Sequence, residues 1–468
     1  MKLWLCFIGI VLLAGCARFQ PQPLVPENSA TQFEARRLDD AGLKQFVARN
    51  LGHELKTWPP EKWSLSELTL AAFYFHPSLE VAKDEWLVAS AGITTAGARP
   101  NPSVTVTPGY DSQIPGNYSP WLVPVTFDLP IETAGKRGKR LAEAEKVSES
   151  ARWNFISAAW KIRSDVRASL LDFILTGRRA ELLQQQFAMQ TQIVKRLQQR
   201  LDTGEISRPE LTVASIALNR AQLDLNQAQA DESSARSHLA GALGLTEAAL
   251  AGTRFDYDFS SPPTAQLTSV AARTVALRSR ADILAALADY AAAEADLRLQ
   301  IAKQYPDLHL GPGYAWNSGN AGDNQWSLGV TLELPILDQN QGPIAEAEAR
   351  RKLSAAKFIE LQAQVIGEID QAQADFRVAQ AQLSAGQHLL AVEQQQQAAA
   401  EAQLQAGAAE PLDLLTAQLE FNTAQLAQLD SLTRQQAAFG ALEGALQCPA
   451  DLLATAIVKL AELNPPSK

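Results

Sequence analysis

The chain is poor in the residues that do chemistry. It has two methionines, one of them Met1, three cysteines and five scattered histidines. That leaves no soft-ligand or imidazole cluster to bind a metal in transit. No Ser/His/Asp order, HExxH, Walker loop or CxxC occurs, so catalysis has no place to sit and no cofactor is expected. There is no cluster of Lys and Arg interleaved with aromatics, and the formal charge is -10, which argues against nucleic acid as a partner. The one long apolar stretch, Leu3 to Leu13, is too short to span a bilayer as a helix.

What is present favours long helices. A hydrophobic fraction of 46% suffices for a core, and it is supplied by Ala and Leu, set among Gln and Glu, more than by Val and Ile. From about Arg137 to Asp202 only Gly138, at the very start, and Gly177 interrupt the helical pattern, and from Ile344 to Gln405 only Gly367 and Gly386 do; neither run contains proline. Such runs extend roughly 90 to 100 Å as helix. Val365, Ile369, Ala372, Phe376, Ala379, Leu383, Gly386 and Leu390 alternate spacings of four and three. Leu211, Ala214, Leu218, Ala221, Leu225 and Ala228 do likewise. Both are coiled-coil seams whose small members let helix axes come close.

The chain also says one thing twice. VTFDLPIETAGKRGKRLAEAE at Val125 returns as VTLELPILDQNQGPIAEAEAR at Val330, VTPGYD at Val106 as LGPGYAW at Leu310, and LAGALGL at Leu239 as LEGALQC at Leu442. Trp86 matches Tyr290, and Trp121 matches Trp326. This is the duplication of a whole unit, too long in period for a solenoid, and each copy is expected to read helix, strand, strand, long helix, helix. The strands show period two: Val104 to Tyr110 and Trp121 to Leu129 in the first copy, Leu308 to Trp316 and Trp326 to Leu334 in the second. Pro130 and Pro335 are expected to end a strand and turn the chain into a helix. At seven to nine residues within these bounds, with aromatics near the ends, the strands could each cross an outer membrane tilted; a soluble hairpin packed on the helices has the same alternation. Four strands cannot close a barrel, and an open sheet edge is not tolerated in hydrocarbon. Strands that span a membrane therefore require an oligomer that pools them.

The chain opens as an export signal, with Lys2 before the apolar stretch and small residues after it. Leu13-Ala14-Gly15-Cys16 resembles a bacterial lipobox, which implies cleavage before Cys16 and its acylation; an ordinary signal peptide with a chance cysteine is the alternative. Cys6 would leave with the signal, so no intrachain disulfide can form, and Cys448 reads as a small buried hydrophobe. Near the other landmarks, RLDTGEISRPELTVAS from Arg200 and QLQAGAAEPLDLLTAQ from Gln403 each place a Gly after a long helix, a Pro in the next first turn and an acid just inside it. These are tight helical turns, with Glu210 and Asp413 as carboxylates that a purely structural turn does not need, though they complement the helix N-terminus.

The ordered combination of lipobox, duplicated helix-strand-strand-helix units, paired strands, very long helices and two Gly-ended turns resembles the TolC-like outer membrane efflux family, from about Ser64 to Leu446. The resemblance implies a mainly α fold with a small membrane β-barrel: a homotrimer whose four strands per subunit make a twelve-stranded barrel, continued by antiparallel coiled-coil helices as a periplasmic tunnel. It implies a passive outer membrane conduit, lipid-anchored and reaching into the periplasm, served by a periplasmic membrane-fusion adaptor and an inner-membrane transporter of RND type. Gly204, Glu205, Pro209, Glu210, Gly407, Glu410 and Pro411 would then form the adaptor-docking tip. Asp413 would be a pore constriction, although Thr416 stands where a second acidic ring is often found. GKRGKR at Gly135 resembles the junction of the CzcC-like heavy-metal branch; a solvated charge run is the other reading. Two alternatives remain at this level, a conduit for type I protein secretion and a coiled-coil envelope lipoprotein without a pore. The expected division is 1–15 signal, 16–63 lipidated segment, 64–255 first unit, 256–448 second unit and 449–468 tail.

Overall fold

The computed structural model describes residues 19–110, 112–113, 120–257, 259, 269–317 and 324–447. Two short helices, α1 (Pro26–Glu34) and α2 (Ala41–Leu51), precede α3 (Leu65–Phe75). The first unit follows: α4 (Pro77–Ala96), β1 (Ser103–Val106), β2 (Gly109–Tyr110), β3 (Trp121–Ile131), α5 (Lys136–Asp202) and α6 (Arg208–Leu243). After α7 (Val270–Ser279) the second unit repeats it as α8 (Ala281–Ala302), β4 (Leu308–Asn317), β5 (Asn324–Leu332), α9 (Gln341–Gln405) and α10 (Pro411–Leu446). The element order is the one the duplication predicts.

In each unit one very long helix lies against two shorter ones stacked end to end. The long helices have 67 and 65 residues, which makes them about 100 Å. The joint between α6 and α4 is held by Arg36, which donates to the carbonyls of Phe75 (2.6 Å) and Gly244 (3.1 Å). Its counterpart between α10 and α8 is held by the Ala281 N–H on Gln447 Oε1 (2.8 Å) and by Arg280 on the Ala445 carbonyl (2.6 Å). The heptad seams pack as their spacing predicts: Val365, Ile369, Ala372, Phe376 and Ala379 are buried, as are Ala221, Leu225 and Ala228.

The largest core surrounds the first joint. Leu43, Val47, Trp63, Leu68, Trp86, Phe155, Val166, Leu170, Leu239 and Leu243 are buried there. Ser64 and Glu67 start α3 with reciprocal side-chain caps, satisfying two backbone donors that the helix leaves open. Beside this core Arg163 and Arg167, both on α5, share the buried carboxylate of Glu443 on α10, with Arg163 Nη2 at 2.8 Å and Arg167 Nε at 3.6 Å. Arg167 also donates to the Gln436 carbonyl (3.0 Å). Its guanidinium lies where a side chain at position 440 would be, so Gly440 is the residue that lets it pass.

The sheet is antiparallel in the order β1-β3-β4-β5, with β2 also on β3. β1 and β2 form the single strand expected at Val104 to Tyr110, broken between them because Pro108, and Pro124 across from the break, lack N–H donors; the Thr107 N–H still reaches the Pro124 carbonyl (3.2 Å). Two expected strand ends move. β3 continues through Pro130 to Ile131, paired with His309 and Leu308, since a proline forfeits only its own donor while its neighbours keep the ladder. β5 stops at Leu332, short of Leu334.

Candidate functional site

The pairing register sorts the strands into two unlike faces. Val104, Val106, Tyr110, the odd-numbered residues of β3 from Trp121 to Ile131, the even-numbered residues of β4 and Trp326, Leu328, Val330 and Leu332 share one face. Every one of them is apolar or aromatic, and among the described residues no helix packs over this face: Trp326 is 82% and Val330 61% exposed. Tyr110 and Trp121 (5.3 Å between centroids, edge to face) and Tyr314 and Trp326 (4.8 Å, tilted) pack together at the end of the sheet away from the helices. An apolar band edged by aromatics is the surface a lipid-facing strand presents. The opposite face is mostly small or polar, with Ser103, Thr105, Thr126, Gly311, Ser327 and Thr331 among its members and Leu122 as its large apolar one. The outer edges of β1 and β5 have no strand partner among the described residues.

Where the sheet passes into the helices, GKRGKR proves not to be a free charge run. Four cations in the first turn of α5 oppose that helix's own dipole, and each is answered from elsewhere. Lys136 is buried and its Nζ lies 2.8 Å from Asp307 Oδ1, which also accepts the Thr133 N–H (2.9 Å). Arg137 donates to the Gly97 carbonyl (2.6 Å) and Lys139 to that of Ala134 (2.6 Å). Arg140 pairs with Glu132 and donates to the carbonyls of Ala96 (3.3 Å) and Ala98 (3.1 Å). The run therefore satisfies the open carbonyl end of α4 and fastens it to the start of α5. Partial burial pushes the Asp307 carboxyl up, but hydrogen bonds from Lys136 and Thr133 outweigh it and hold the group below its ordinary value. The equivalent turn of the second unit has no cations: Asn340, with φ 60, donates through its N–H to Asp338 Oδ1 (2.8 Å) and through Nδ2 to the Gln300 carbonyl (2.7 Å).

At the far ends of the long helices the two predicted turns lie side by side. α5 closes with Gly204 (φ 77), whose N–H reaches the Leu201 carbonyl (3.0 Å) while Glu205 N–H reaches that of Arg200 (2.9 Å). α9 closes identically through Gly407 (φ 73), with Gly407 N–H on Leu404 (3.0 Å) and Ala408 N–H on Gln403 (2.8 Å). Both are Schellman ends, which require a left-handed residue. Pro209 and Pro411 stand in the first turns of the next helices. Glu210 accepts from the Ser207 N–H (3.1 Å) and hydroxyl (2.7 Å), bonds that lower its pKa. Asp413, exposed, accepts from the Glu410 N–H (2.8 Å). The view that a structural turn has no need of these two carboxylates is thus corrected, because both complete capping boxes. Arg200, which sequence reasoning missed, pairs with Glu410 and ties the first turn to the second. Cys16 and Cys448 lie outside the described residues.

The family model for outer membrane efflux proteins matches residues 74–245 and 273–446, one segment per unit. The cobalt-zinc-cadmium resistance protein CzcC of Cupriavidus metallidurans is 26% identical over 222 residues, which is 47% of this chain and 52% of that protein. The chain thus spans only about half the length of that relative. The nickel-cobalt-cadmium resistance protein NccC of Alcaligenes xylosoxydans xylosoxydans is 23% identical over 360 residues, 75% of this chain and 78% of that one. Among solved structures, the outer membrane protein VceC of Vibrio cholerae superposes with a TM-score of 0.66 at 20% identity, covering 82% of this chain and 95% of its own. At that identity the likeness concerns the fold.

Proposed function

The chain belongs to the outer membrane efflux protein family, and from that premise we propose that it is the outer membrane channel of a tripartite efflux system, passively conducting what an inner-membrane pump and a periplasmic adaptor deliver. The observation that carries this is the sheet, apolar and uncovered on one face, mostly small or polar on the other, with both edges open. Three copies would join these edges into a closed twelve-stranded barrel whose polar face lines a bore. The long helices would continue that bore through the periplasm, with the tips at Gly204 and Gly407 meeting the adaptor and Asp413 contributing a ring of carboxylates near the exit. Cys16 would carry the lipid anchor. The metal-resistance names of the two relatives favour transition-metal cations as the exported class, with an RND pump as the energy source.

Mass measurement of the detergent-extracted protein followed by planar-bilayer recording tests the proposal. A trimer that conducts is expected. A monodisperse monomer, or a trimer without conductance, overturns it.

A further inference from the structure

Apart from Leu122 and Gln325 towards the loops, the polar face of the sheet carries little bulk and little charge. Among the described residues it has two ionisable side chains between the strand ends, Asp128 on β3 and His309 on β4. They are diagonal neighbours across the ladder: His309 Nδ1 lies 3.0 Å from Asp128 Oδ1 and 3.1 Å from Oδ2. Along the strands towards the loops, the same face offers Gly311, Gly313, Ala315, Thr126, Ser327 and Gly329. The imidazole therefore stands out from a floor of small residues near the helical end of the sheet. It is not buried by its partner, the two side chains being 40% and 45% exposed.

The pair has a defined chemistry. An ionised carboxylate can only accept, so Nδ1 carries the proton and donates it to Asp128, which leaves the lone pair on Nε2. A carboxylate on one ring nitrogen fixes the tautomer and orients the ring, the device seen behind metal-ligating histidines. Divalent transition cations favour such a nitrogen, whereas Mg2+ prefers oxygen. Among the described residues no three His, Cys, Asp or Glu side chains gather into a cage. A single imidazole with water completing the coordination holds a cation weakly and releases it quickly, as a conduit must.

We propose that His309 Nε2, set by Asp128, is a contact site for divalent transition cations, one per chain, on the inner wall of the bore. The bore rests on the channel reading above; the binding does not.

Two measurements separate the two ideas. In planar bilayers, with each current expressed as a fraction of the same protein's current in K+ alone, Zn2+ or Ni2+ should reduce wild-type current where equal Mg2+ does not. His309→Gln should lose this response, and Asp128→Asn should weaken it about tenfold. Wild-type sensitivity retained in His309→Gln overturns the site. If the wild type carries no current, the channel reading fails and a second measurement decides the site alone. Electron paramagnetic resonance of the detergent-extracted full chain titrated with Cu2+ should show one nitrogen-coordinated copper per chain fewer in His309→Gln than in wild type. Equal copper in both overturns the proposal.

Discussion

The two long helices are near copies in length and in the hairpins they form, yet they live in different surroundings. α5 packs against α4 and α6 of its own unit and against α8 and α10 of the other, and buries Phe155, Ile156, Ile162, Val166, Leu170, Leu171 and Leu175. α9 packs mainly against α8 and α10, and buries six residues, three of them alanine. It leaves Leu353, Ile359, Val378, Leu389 and Val392 exposed, where α5 exposes one large hydrophobic, Val147. Val213, Ile216 and Leu223 of α6 are uncovered too. A duplicated unit has two kinds of seam, one within the unit and one between units. The chain makes the second kind once, along α5. Along α9 no such seam is made among the described residues, as a ring that closes through further copies of the chain requires.

The largest expected effect is on the seam already made. Glu443→Ala would leave the Arg163 and Arg167 guanidiniums buried without their shared carboxylate, at a cost of about 3–5 kcal/mol. Gly440→Ala would drive a β-carbon into the Arg167 guanidinium and harm the same seam. Melting temperature and trypsin resistance of the purified protein check both, and a wild-type melting profile in Glu443→Ala would show that the ion cluster is not holding α5 to α10.

Next comes the open seam. Ile359→Asp or Val378→Asp should abolish the trimer, since each copy forfeits about 1.5–3 kcal/mol of apolar burial and places a charge in a packed interface. Val147→Asp serves as the matched control on α5. Native mass should fall for the two α9 variants alone; trimers in all three would contradict the unequal roles of the helices.

Smaller is the effect at the tips, where the two units should agree. Gly204→Ala and Gly407→Ala each force a β-carbon into a left-handed position, costing about 1 kcal/mol or more. Hydrogen exchange should quicken at each altered turn to a similar degree, with assembly intact and export reduced. Fast exchange at one tip only would mean that the turns, alike in their bonds, are unlike in their support.

The smallest effect separates the two strand-to-helix junctions. Asp307 has its folded pKa below the ordinary aspartate value, so the stability it lends is complete above about pH 3.9 and is lost as the pH falls through the folded value. The junction at Asn340 has no such pair. Acid should therefore loosen residues 132–140 before 333–341, read by exchange or by acid-active protease. Asp307→Asn should remove the difference.

Much of this architecture was legible because short-range patterns dictate it. Period-two runs gave the strands, 3.5-residue seams gave the helices, and Gly followed by Pro gave the turns. The register of the strands even fixed their lipid-type face, because apolar residues occupy alternate positions throughout. What the sequence withheld are partners far apart along the chain, such as Arg163 with Glu443, Arg200 with Glu410 and Lys136 with Asp307. A single sequence has no term that couples such positions. One clue was nonetheless available: four cations at the start of a helix are unfavourable alone, so GKRGKR called for an acceptor, and the end of α4 supplies it. Pro130 misled because its missing donor weighs less than the ladder on either side.

The length of α5 and α9 makes the joint region the pivot of a lever. About 50 Å of helix separates Arg167 from the end of α5 at Asp202, so a tilt of about 3° at the joint carries the tip roughly 3 Å. The width of any opening at the tips is then governed by angles fixed around Trp86, Phe155, Arg167 and Gly440, a long way from the opening itself. Selection or screening for altered permeation should accordingly return substitutions in that remote packing as readily as substitutions at the rim.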